Sequence, residues 1–289
     1  MSPANVCESE TEIALQPTSA KSAAALARER EYQRHSAEAA RNNVTATSSR
    51  VMERYASLRY ANVIQKDFLY RALGVGGDLD GKTVLDFGCG TGETTTQLAL
   101  FGGVVMGMDI SPELIAVAQR RAELDGVAGR IQLLAVDLLR NPPPPNSFDR
   151  VLCSAVLHHV DYRVVLPVLR NCLRPGGKIA LGEPTAMSPA LARLRDWLPV
   201  EKNVSPDERQ FNAADVAAIA SAFDCSEVRY FNLFSRVIRF LPMGLNLEQA
   251  PALIRCTVVF LMTLDSWLAK SSLLHRFFGA VAIVGTKLA

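Results

Sequence analysis

The apolar positions in the middle of the chain follow two alternating patterns. Short runs of β-branched and aliphatic residues predict buried strands, and segments with an apolar residue every three or four positions predict helices between them. Strands that alternate with helices over short connections indicate an α/β domain with a parallel sheet and right-handed crossovers. Strands are predicted at residues 83–87, 104–108, 131–135, 148–153 and 178–182, and helices at residues 93–99, 112–124 and 163–173.

The rest of the chain is predicted to add helices and two further strands to this sheet. The segment LRPGGKIAL, residues 173–181, predicts a helix end and a tight Pro-Gly-Gly turn before the fifth strand. Further helices are expected at residues 20–41, 48–58 and 62–73, and strands near residues 228–234 and 281–286. The predicted divisions are a disordered N-terminus at 1–18, a helical arm or cap at 19–78, and the α/β domain at 79–289, with cap insertions at about 184–215 and 241–278.

The first predicted helix, residues 20–41, has only a thin apolar stripe. A helix with such a weak apolar face is not expected to be stable alone. It is either a solvated extension or an arm that docks over the functional site or onto a neighbouring subunit. The second interpretation would make the protein a homo-oligomer joined through this helix.

The segment VLDFGCGTG, residues 84–92, predicts a buried strand that turns sharply into a helix. Three glycines, Gly88, Gly90 and Gly92, occupy alternate positions, and only glycine lets the backbone approach a ligand so closely. The dinucleotide fingerprint G-x-G-x-x-G needs glycine at its sixth place, where this chain has Glu93. Because a carboxylate there would repel a pyrophosphate, nicotinamide-dependent oxidoreduction is disfavoured.

With Asp86 ahead of the turn, this segment resembles the first signature of class I S-adenosyl-L-methionine (SAM)-dependent methyltransferases. The resemblance covers residues 45–289 in outline and is specific between residues 84 and 178. It implies SAM as cofactor and S-adenosyl-L-homocysteine as product. It also implies cofactor contacts at Asp86, Gly88, Cys89, Gly90, Gly92, Asp109, Ile110, Asp137, Leu138 and Ser154.

In this family the Asp side chain and the amides of the glycine loop hold the amino-acid end of the cofactor. The resemblance carries these roles to Asp86, Gly88 and Gly90. The tail of SAM has an ammonium and a carboxylate group. An acidic residue near backbone donors at a helix N-terminus therefore suits both groups.

Two further acidic residues end predicted strands. Asp109 can accept hydrogen bonds from both ribose hydroxyls of an adenosine through its paired oxygens, and the alternative is an N-cap for the next helix. Asp137, with the Leu138 amide beside it, resembles the adenine contact of the family. The alternative for Asp137 is an Asx turn.

The segment FDRVLCSAVLHHV, residues 148–160, resembles the family's loop that passes the reacting methyl group. Ser154 leaves the strand at its carboxyl end, where ligands bind in open α/β sheets. His158 and His159 are expected to begin a helical turn, where adjacent side chains point about 100° apart, so only one should face the site. That histidine is either a general base or a packing residue beside the cofactor.

The resemblance also implies a fold. The expected architecture is α/β and Rossmann-like, with a seven-stranded, mostly parallel sheet, helices on both faces and an antiparallel last strand. The final two strands should form a hairpin at one sheet edge. The N-terminal helices and the helical insertions are expected to build the substrate pocket.

Composition narrows the choice of partners. The net charge is +2, with acidic and basic residues interspersed, so a nucleic-acid partner is not expected. The six cysteines show no metal-site or disulfide spacing, and no acidic cluster for Mg²⁺ is evident, so no metal is expected. The N-terminus lacks the apolar core of a secretory signal, which favours a cytoplasmic protein. The most apolar tract, residues 256–264, falls short of the ~20 residues that span a bilayer and predicts a buried or substrate-facing helix.

The segments expected to surround the acceptor are apolar and aromatic, although ordinary core packing would produce the same pattern. The candidates for the substrate pocket are Tyr32, Trp197, Tyr230, Phe231 and Phe234. The chain as a whole, with EYQRHSAEAARNN near its N-terminus, resembles actinobacterial natural-product C-methyltransferases of the teleocidin type. That resemblance implies methylation of the alkene of a prenylated, terpenoid indole alkaloid, followed by cyclisation of the resulting carbocation.

Two other functions stay open. The first is an O- or N-methyltransferase that acts on a polyketide, quinone or peptide-derived small molecule, with His158 or His159 as base. The second is a SAM-binding protein that has lost methyl transfer and acts as a cyclase or interaction module.

Overall fold

The computed structural model describes residues 33–38, 40–185, 211–235, 247 and 250–288. Its strands are Thr83–Phe87 (β1), Val104–Asp109 (β2), Ile131–Ala135 (β3), Phe148–Ser154 (β4), Leu173–Pro184 (β5), Cys225–Phe231 (β6) and Ala280–Thr286 (β7). They form a seven-stranded sheet in the order β3-β2-β1-β4-β5-β7-β6. The first five strands run parallel, and β7 runs antiparallel to both β5 and β6. The expected Rossmann-like sheet, with an antiparallel pair at one edge, is confirmed.

Four helices begin at residues whose side chains cap them: Ser48, Ser111, Asp161 and Asn212. At the start of the second helix after the glycine loop, the Ser111 hydroxyl accepts from the Leu114 amide at 3.2 Å, ahead of Pro112 in the first turn. Asn212 and Asp215 form a reciprocal capping box at another helix start. The helices are Ser49–Ser57 (α1), Gln65–Leu73 (α2), Glu93–Leu100 (α3), Pro112–Leu124 (α4), Tyr162–Cys172 (α5), Ala213–Ser221 (α6) and Ala252–Leu268 (α7).

Both faces of the sheet are buried, which explains why its strands are apolar without alternation. On one face, Leu85, Val151 and Ile179 pack against α5 and α6. On the other face, the adjacent residues Val84, Leu152 and Ala180 pack against α2 and α3. Successive residues of each strand therefore enter two different core clusters.

The Pro-Gly-Gly segment differs from its prediction as a simple turn. The strand β5 already begins at Leu173, and its register with β4 shifts between the pairs Phe148–Leu173 and Arg150–Lys178. Gly176 has φ +76°, and its amide donates to the Lys287 carbonyl at 2.7 Å. Pairing with the chain's C-terminal segment draws the turn into the sheet, an interaction that local turn chemistry does not reveal.

The strand β6 ends earlier than predicted, at Phe231 instead of residue 234. Asn232 adopts φ +66°, which breaks the extended backbone. The next three amides, of Leu233, Phe234 and Ser235, donate to the Asp265 carboxylate at 2.8–3.0 Å. Asp265 therefore anchors α7 to the end of β6.

The helix α7 is less buried than its apolar sequence suggests. Only Val258 and Asp265 are buried along Ala252–Leu268, and Phe260 and Trp267 are exposed. The alternative of a buried helix is therefore wrong for most of this segment. The alternative of a substrate-facing helix stays a prediction, and one side of α7 lines a cleft described below. Among the described residues, no helix is long and apolar enough to cross a membrane.

The C-terminal end of the predicted N-terminal arm lies against α4. Residues 33–38 and 40–41 are helical, and Ala37 is buried against Leu114 and Val117 of α4. The Thr47 amide and hydroxyl then donate to the two Asp125 oxygens at 2.6 and 2.7 Å. Residues 1–32, and with them most of the predicted arm, lie outside the described residues.

The buried Asp265 carboxylate gives a stability prediction. Asp265→Ala removes the acceptor of three backbone amides and the Ser235 hydroxyl, so it should lower the free energy of unfolding by about 3 kcal/mol. Thr263→Ala, on the exposed side of the same helix, should change it by less than about 0.5 kcal/mol. Urea unfolding of both variants checks this, and equal losses would contradict the anchoring role.

Candidate active site

The candidate residues converge at the carboxyl ends of the parallel strands. The strand β1 lies between β2 and β4, so the loops after β1 and β4 leave in opposite directions and open a crevice between them. Asp86, Asp109 and Ser154 stand at the ends of β1, β2 and β4 respectively. Topology therefore places the predicted cofactor residues along one edge of the sheet.

The three glycines of the loop after β1 serve two different purposes. A Cβ atom on Gly88 would lie 2.2 Å from the Val156 side chain, and one on Gly92 would lie 2.6 Å from Ala118 Cβ. These two glycines permit close packing within the protein. A Cβ on Gly90 would meet no protein atom within 4 Å, although Gly90 shares the left-handed backbone with φ +52°. Gly90 is therefore the position where the backbone borders open space at the site.

Most amides of this loop donate within the protein. The Gly88 and Cys89 amides donate to the Met108 carbonyl at 2.7 and 3.1 Å. The Gly90 amide donates to Asp109 Oδ2 at 2.9 Å, and the Gly92 amide donates to the Cys89 carbonyl at 2.9 Å. These bonds fix the loop against β2. The expected role of the Gly88 and Gly90 amides towards a ligand stays a prediction.

Asp86 is a buried carboxylate, with 4% of the residue exposed. Its Oδ2 accepts from the Thr95 hydroxyl at 2.6 Å, at the start of α3. Burial raises the pKa of this carboxyl to about 6, the Thr95 hydrogen bond opposes the rise, and the nearby Asp109 charge adds to it. Such a group is suited to a cationic partner, which would stabilise its ionised form.

Asp109 links the glycine loop to the start of α4. Its Oδ2 accepts from Gly90 and its Oδ1 accepts from the Ser111 amide at 2.9 Å. Ser111, rather than Asp109, supplies the side-chain cap of α4. A carboxylate has about four lone-pair positions, and the expected contact of Asp109 with ribose hydroxyls stays a prediction. Ile110 beside it is 43% exposed.

The residues after β3 fit a turn. Asp137 Oδ1 accepts a hydrogen bond from the Leu139 amide at 2.9 Å, which is Asx-turn geometry. Asp137 Oδ2 also lies 3.7 Å from Arg140 Nε. Leu138 is buried in the main core cluster. The turn alternative for Asp137 therefore has direct structural support, and the adenine contact stays a prediction.

The N-terminal helix α2 closes over the start of α3 through contacts that the sequence patterns do not predict. Lys66 pairs with Glu93 at 2.7 Å, and this pairing lowers the pKa of the Glu93 carboxyl. The Tyr70 hydroxyl donates to the buried Gln97. Glu93, which disfavours a pyrophosphate at this loop, thus also ties α2 to the site.

The loop after β4 is held in an unusual conformation. Ser154 is exposed at the strand end, and Ala155 follows with φ +57°. The Ala155 amide donates to the Gly182 carbonyl of β5 at 2.7 Å. His158 and His159 then lie on the short 3-10 helix Leu157–His159, instead of an α-helical turn.

Glu183 on β5 organises this loop, and sequence reasoning did not single it out as a site residue. It is buried, and its Oε1 accepts from the Val156 and Leu157 amides at 3.1 and 2.9 Å. Its Oε2 lies 2.7 Å from His158 Nδ1. The sequence signal that could have identified it is its position: Glu183 follows the apolar run near the carboxyl end of a buried parallel strand, one residue after Gly182, which pairs with Ser154.

The two histidines have different surroundings. His158 is buried beside Glu183, whereas His159 is partly exposed, and their ring centres are 4.0 Å apart. The structure therefore separates one buried, carboxylate-paired imidazole from one partly exposed neighbour. Catalytic roles for either histidine stay predictions.

The three predicted substrate-pocket residues that the structure describes have different surroundings. Phe231 is buried, and its ring centre lies 6.0 Å from that of Phe68, so it packs in the core. Tyr230 stacks on His275 with ring centres 4.0 Å apart, and burial raises the pKa of its hydroxyl. Phe234 is 51% exposed. Tyr32 and Trp197 lie outside the described residues.

A cleft of about 690 Å³ lies between the loop ahead of α2 and one side of α7. This volume is in the range of small-molecule sites. Its walls combine apolar and cationic side chains: Arg59, Tyr60, Asn62, Val63, Arg255, Cys256, Val259, Phe260, Thr263 and Ser266. Within the described ranges, no cluster of metal-ligating side chains is present.

Part of this chain is similar to known methyltransferases. Residues 85–181 match a family model described as a methyltransferase domain. Ubiquinone biosynthesis O-methyltransferase of Xanthomonas euvesicatoria pv. vesicatoria (strain 85-10) is 36% identical over 105 residues, which cover 36% of this chain and 44% of that protein. The chain spans about half the length of the curated relatives it matches.

Solved structures share the fold at low sequence identity. Phosphoethanolamine N-methyltransferase 2 of Haemonchus contortus, in complex with S-adenosyl-L-methionine, has a TM-score of 0.51 and 21% identity, over 74% of this chain and 50% of that chain. Geranyl diphosphate C-methyltransferase of Streptomyces coelicolor A3(2) has a TM-score of 0.54 and 13% identity, over 78% of each chain. Both place the described sheet among Rossmann-like methyltransferase folds.

The raised pKa of Asp86 gives a prediction for stability. The folded protein disfavours the ionised carboxylate, so this cost is present above about pH 6 and disappears as the pH falls towards the ordinary value of 3.8. Asp86→Asn should therefore stabilise the ligand-free protein at pH 8 by about 1 to 3 kcal/mol, and the gain should vanish near pH 4. Thermal unfolding at both pH values measures it.

Asp149→Asn is the matched control, because the pKa of this carboxyl is shifted in the opposite direction. Burial acts to raise the pKa of Asp149, but hydrogen bonds from Thr83 and Arg174 outweigh it and lower the pKa. The same substitution should therefore destabilise the protein at pH 8. Loss of stability in both variants would contradict the account of Asp86.

Proposed function

We propose, because residues 85–181 match a methyltransferase domain, that this protein transfers the methyl group of SAM to a small, largely apolar acceptor. The observation that carries the proposal is the open space at Gly90, whose amide donates to Asp109, in the loop directly after the strand that carries the buried Asp86. When bound, SAM supplies an electrophilic methyl group on a sulfonium centre.

The residues present suit this cofactor. A Cβ on Gly90 would occupy the space that the backbone leaves open, and buried Asp86 has the charge that an ammonium group requires. Asp109 offers paired oxygens to ribose hydroxyls. Glu93, held by Lys66 at the sixth place of the glycine motif, opposes a pyrophosphate. The donor set therefore fits SAM better than a dinucleotide.

For the acceptor, we propose C-methylation of the alkene of a prenylated, terpenoid indole substrate, followed by carbocation cyclisation. The resemblance to teleocidin-type enzymes supports this choice. An alkene attacks the methyl group without prior deprotonation, so positioning and exclusion of water would supply most of the catalysis. One solved structure with this fold is a C-methyltransferase of geranyl diphosphate, which shows that the fold itself accommodates an isoprenoid acceptor.

O-methylation of a quinone-like or phenolic molecule is the second candidate. The curated relative from Xanthomonas is named as a ubiquinone biosynthesis O-methyltransferase. The buried His158–Glu183 pair favours this candidate specifically, because an imidazole beside a carboxylate can take a proton from a hydroxyl group. A cytoplasmic location and a homo-oligomer joined through the N-terminal helix stay predictions.

The cofactor site is tested by Gly90→Ala. A methyl group in the open space should weaken SAM binding about tenfold or more, measured by isothermal titration calorimetry. Gly126→Ala is the matched control, because Gly126 also has positive φ, +69°, and open space around its Cβ position. The control should carry the same backbone strain and bind SAM normally. Equal affinity of both variants for SAM would contradict this placement.

The two acceptor candidates predict different kinetics. With an alkene acceptor, His158→Asn and His159→Asn should leave the single-turnover rate of carbon–methyl bond formation nearly unchanged and should alter the product ratio instead. With a phenolic acceptor, loss of the base should slow transfer about 10²- to 10⁴-fold. Mass spectrometry with prenylated indoles, phenols and quinones, with SAM affinity measured alongside, separates the cases. A loss of that size with SAM binding intact would favour O-methylation.

A further inference from the structure

The buried pair formed by Glu183 and His158 lies beside the cofactor crevice and takes no part in the cofactor contacts described above. Glu183 is 3% exposed and His158 is 6% exposed. They come from different elements, the end of β5 and the 3-10 helix after β4. A buried carboxylate costs free energy unless it is well hydrogen-bonded, so its partners determine what it does.

The Glu183 carboxylate faces three nitrogen atoms. Its Oε1 accepts from the two backbone amides of Val156 and Leu157, and its Oε2 contacts His158 Nδ1 at 2.7 Å. An ionised carboxylate can only accept hydrogen bonds. His158 Nδ1 must therefore carry a hydrogen, and in the neutral ring the lone pair is on Nε2.

The same carboxylate also holds the loop that carries His158. Its two amide contacts precede the histidine by one and two residues, next to Ala155 in its left-handed conformation. One side chain thus fixes both the position of the imidazole and its tautomer. His159, partly exposed on the same turn, has a different environment.

We propose that Glu183 is a positioning residue that fixes His158 as the Nδ1–H tautomer and thereby makes Nε2 the proton acceptor of the site. The proposal rests on the proposed methyl transfer for the identity of the proton donor. With a hydroxyl acceptor, the O–H bond breaks, its electron pair stays on oxygen, and the proton binds Nε2. With a carbocation, a neighbouring C–H bond breaks, its electron pair forms the alkene, and the proton again binds Nε2.

The charge change in that step explains why a carboxylate stands at this position. Protonation of Nε2 converts His158 to an imidazolium, and the Glu183 carboxylate 2.7 Å away neutralises it. The proton then passes to solvent water when product leaves. An amide at position 183 would supply neither the charge nor the required acceptor on the Nδ1 side.

Glu183→Gln tests the tautomer directly. The Gln carbonyl oxygen can still accept from the Val156 and Leu157 amides, while its amino group faces Nδ1 as a donor. His158 should therefore switch to the Nε2–H tautomer, which ¹⁵N NMR of labelled histidines reports. The chain has only four histidines, and His158→Asn identifies the signals of His158. Glu123→Gln, on the exposed end of α4, is the matched control and should leave the tautomer unchanged.

The functional consequence is tested with a double-mutant cycle. Glu183→Gln and His158→Asn should change product formation in the same way, and the double variant should be no worse than either single variant. SAM affinity should stay within about twofold in all three, because neither residue is a proposed cofactor contact. Additive effects, or wild-type product formation in Glu183→Gln, would overturn the proposal.

The tautomer of His158 can also be read from ¹⁵N NMR of the wild-type protein alone. The test therefore remains valid if Glu183→Gln fails to fold. An Nε2–H signal for His158 in the unaltered protein would overturn the inference. Failure of the proposed function looks different: the wild-type protein would then bind no SAM in calorimetry and form no methylated product, whatever the tautomer of His158.

Discussion

The tight turn from β1 into α3 is the constraint on which the rest of the site depends. Gly88 brings the loop after β4 against it through Val156, Gly92 brings α4 against it through Ala118, and the Gly90 amide holds Asp109 at the end of β2. Three elements thus meet at one five-residue loop that has little side-chain volume. A larger residue at Gly88 or Gly92 would push a neighbouring element away, whereas Gly90 faces open space and remains available to a ligand.

Three buried carboxylates differ in how fully hydrogen bonds compensate their charge. Asp265 is surrounded by backbone amides and fixes α7, and Glu183 accepts from two amides and contacts an imidazole. Asp86 accepts a hydrogen bond from the Thr95 hydroxyl, and burial raises its pKa to about 6. An incompletely compensated charge at a strand end is costly to the ligand-free fold and is typical of a binding position for a cation.

Much of the fold could be predicted from the sequence, because buried parallel strands and capped helices carry local signals. The predicted strand at residues 83–87 and the helix at residues 112–124 match β1 and α4. The longer β5, the early end of β6 and the role of Glu183 could not be predicted, since each depends on a partner far along the chain: Lys287, Asp265 and His158 respectively. The aromatic pattern allowed both a pocket residue and a core residue at position 231, and Phe231 is buried in the core.

The central claim, that the crevice at Gly90 holds SAM between Asp86 and Asp109, is tested most directly by equilibrium dialysis of the unaltered protein with labelled SAM and labelled NAD. The account predicts one SAM bound per chain at pH 8, with affinity that weakens as the pH falls through about 6 and Asp86 becomes protonated. It predicts no measurable retention of NAD. Retention of NAD in preference to SAM, or no retention of SAM at pH 8, would contradict it.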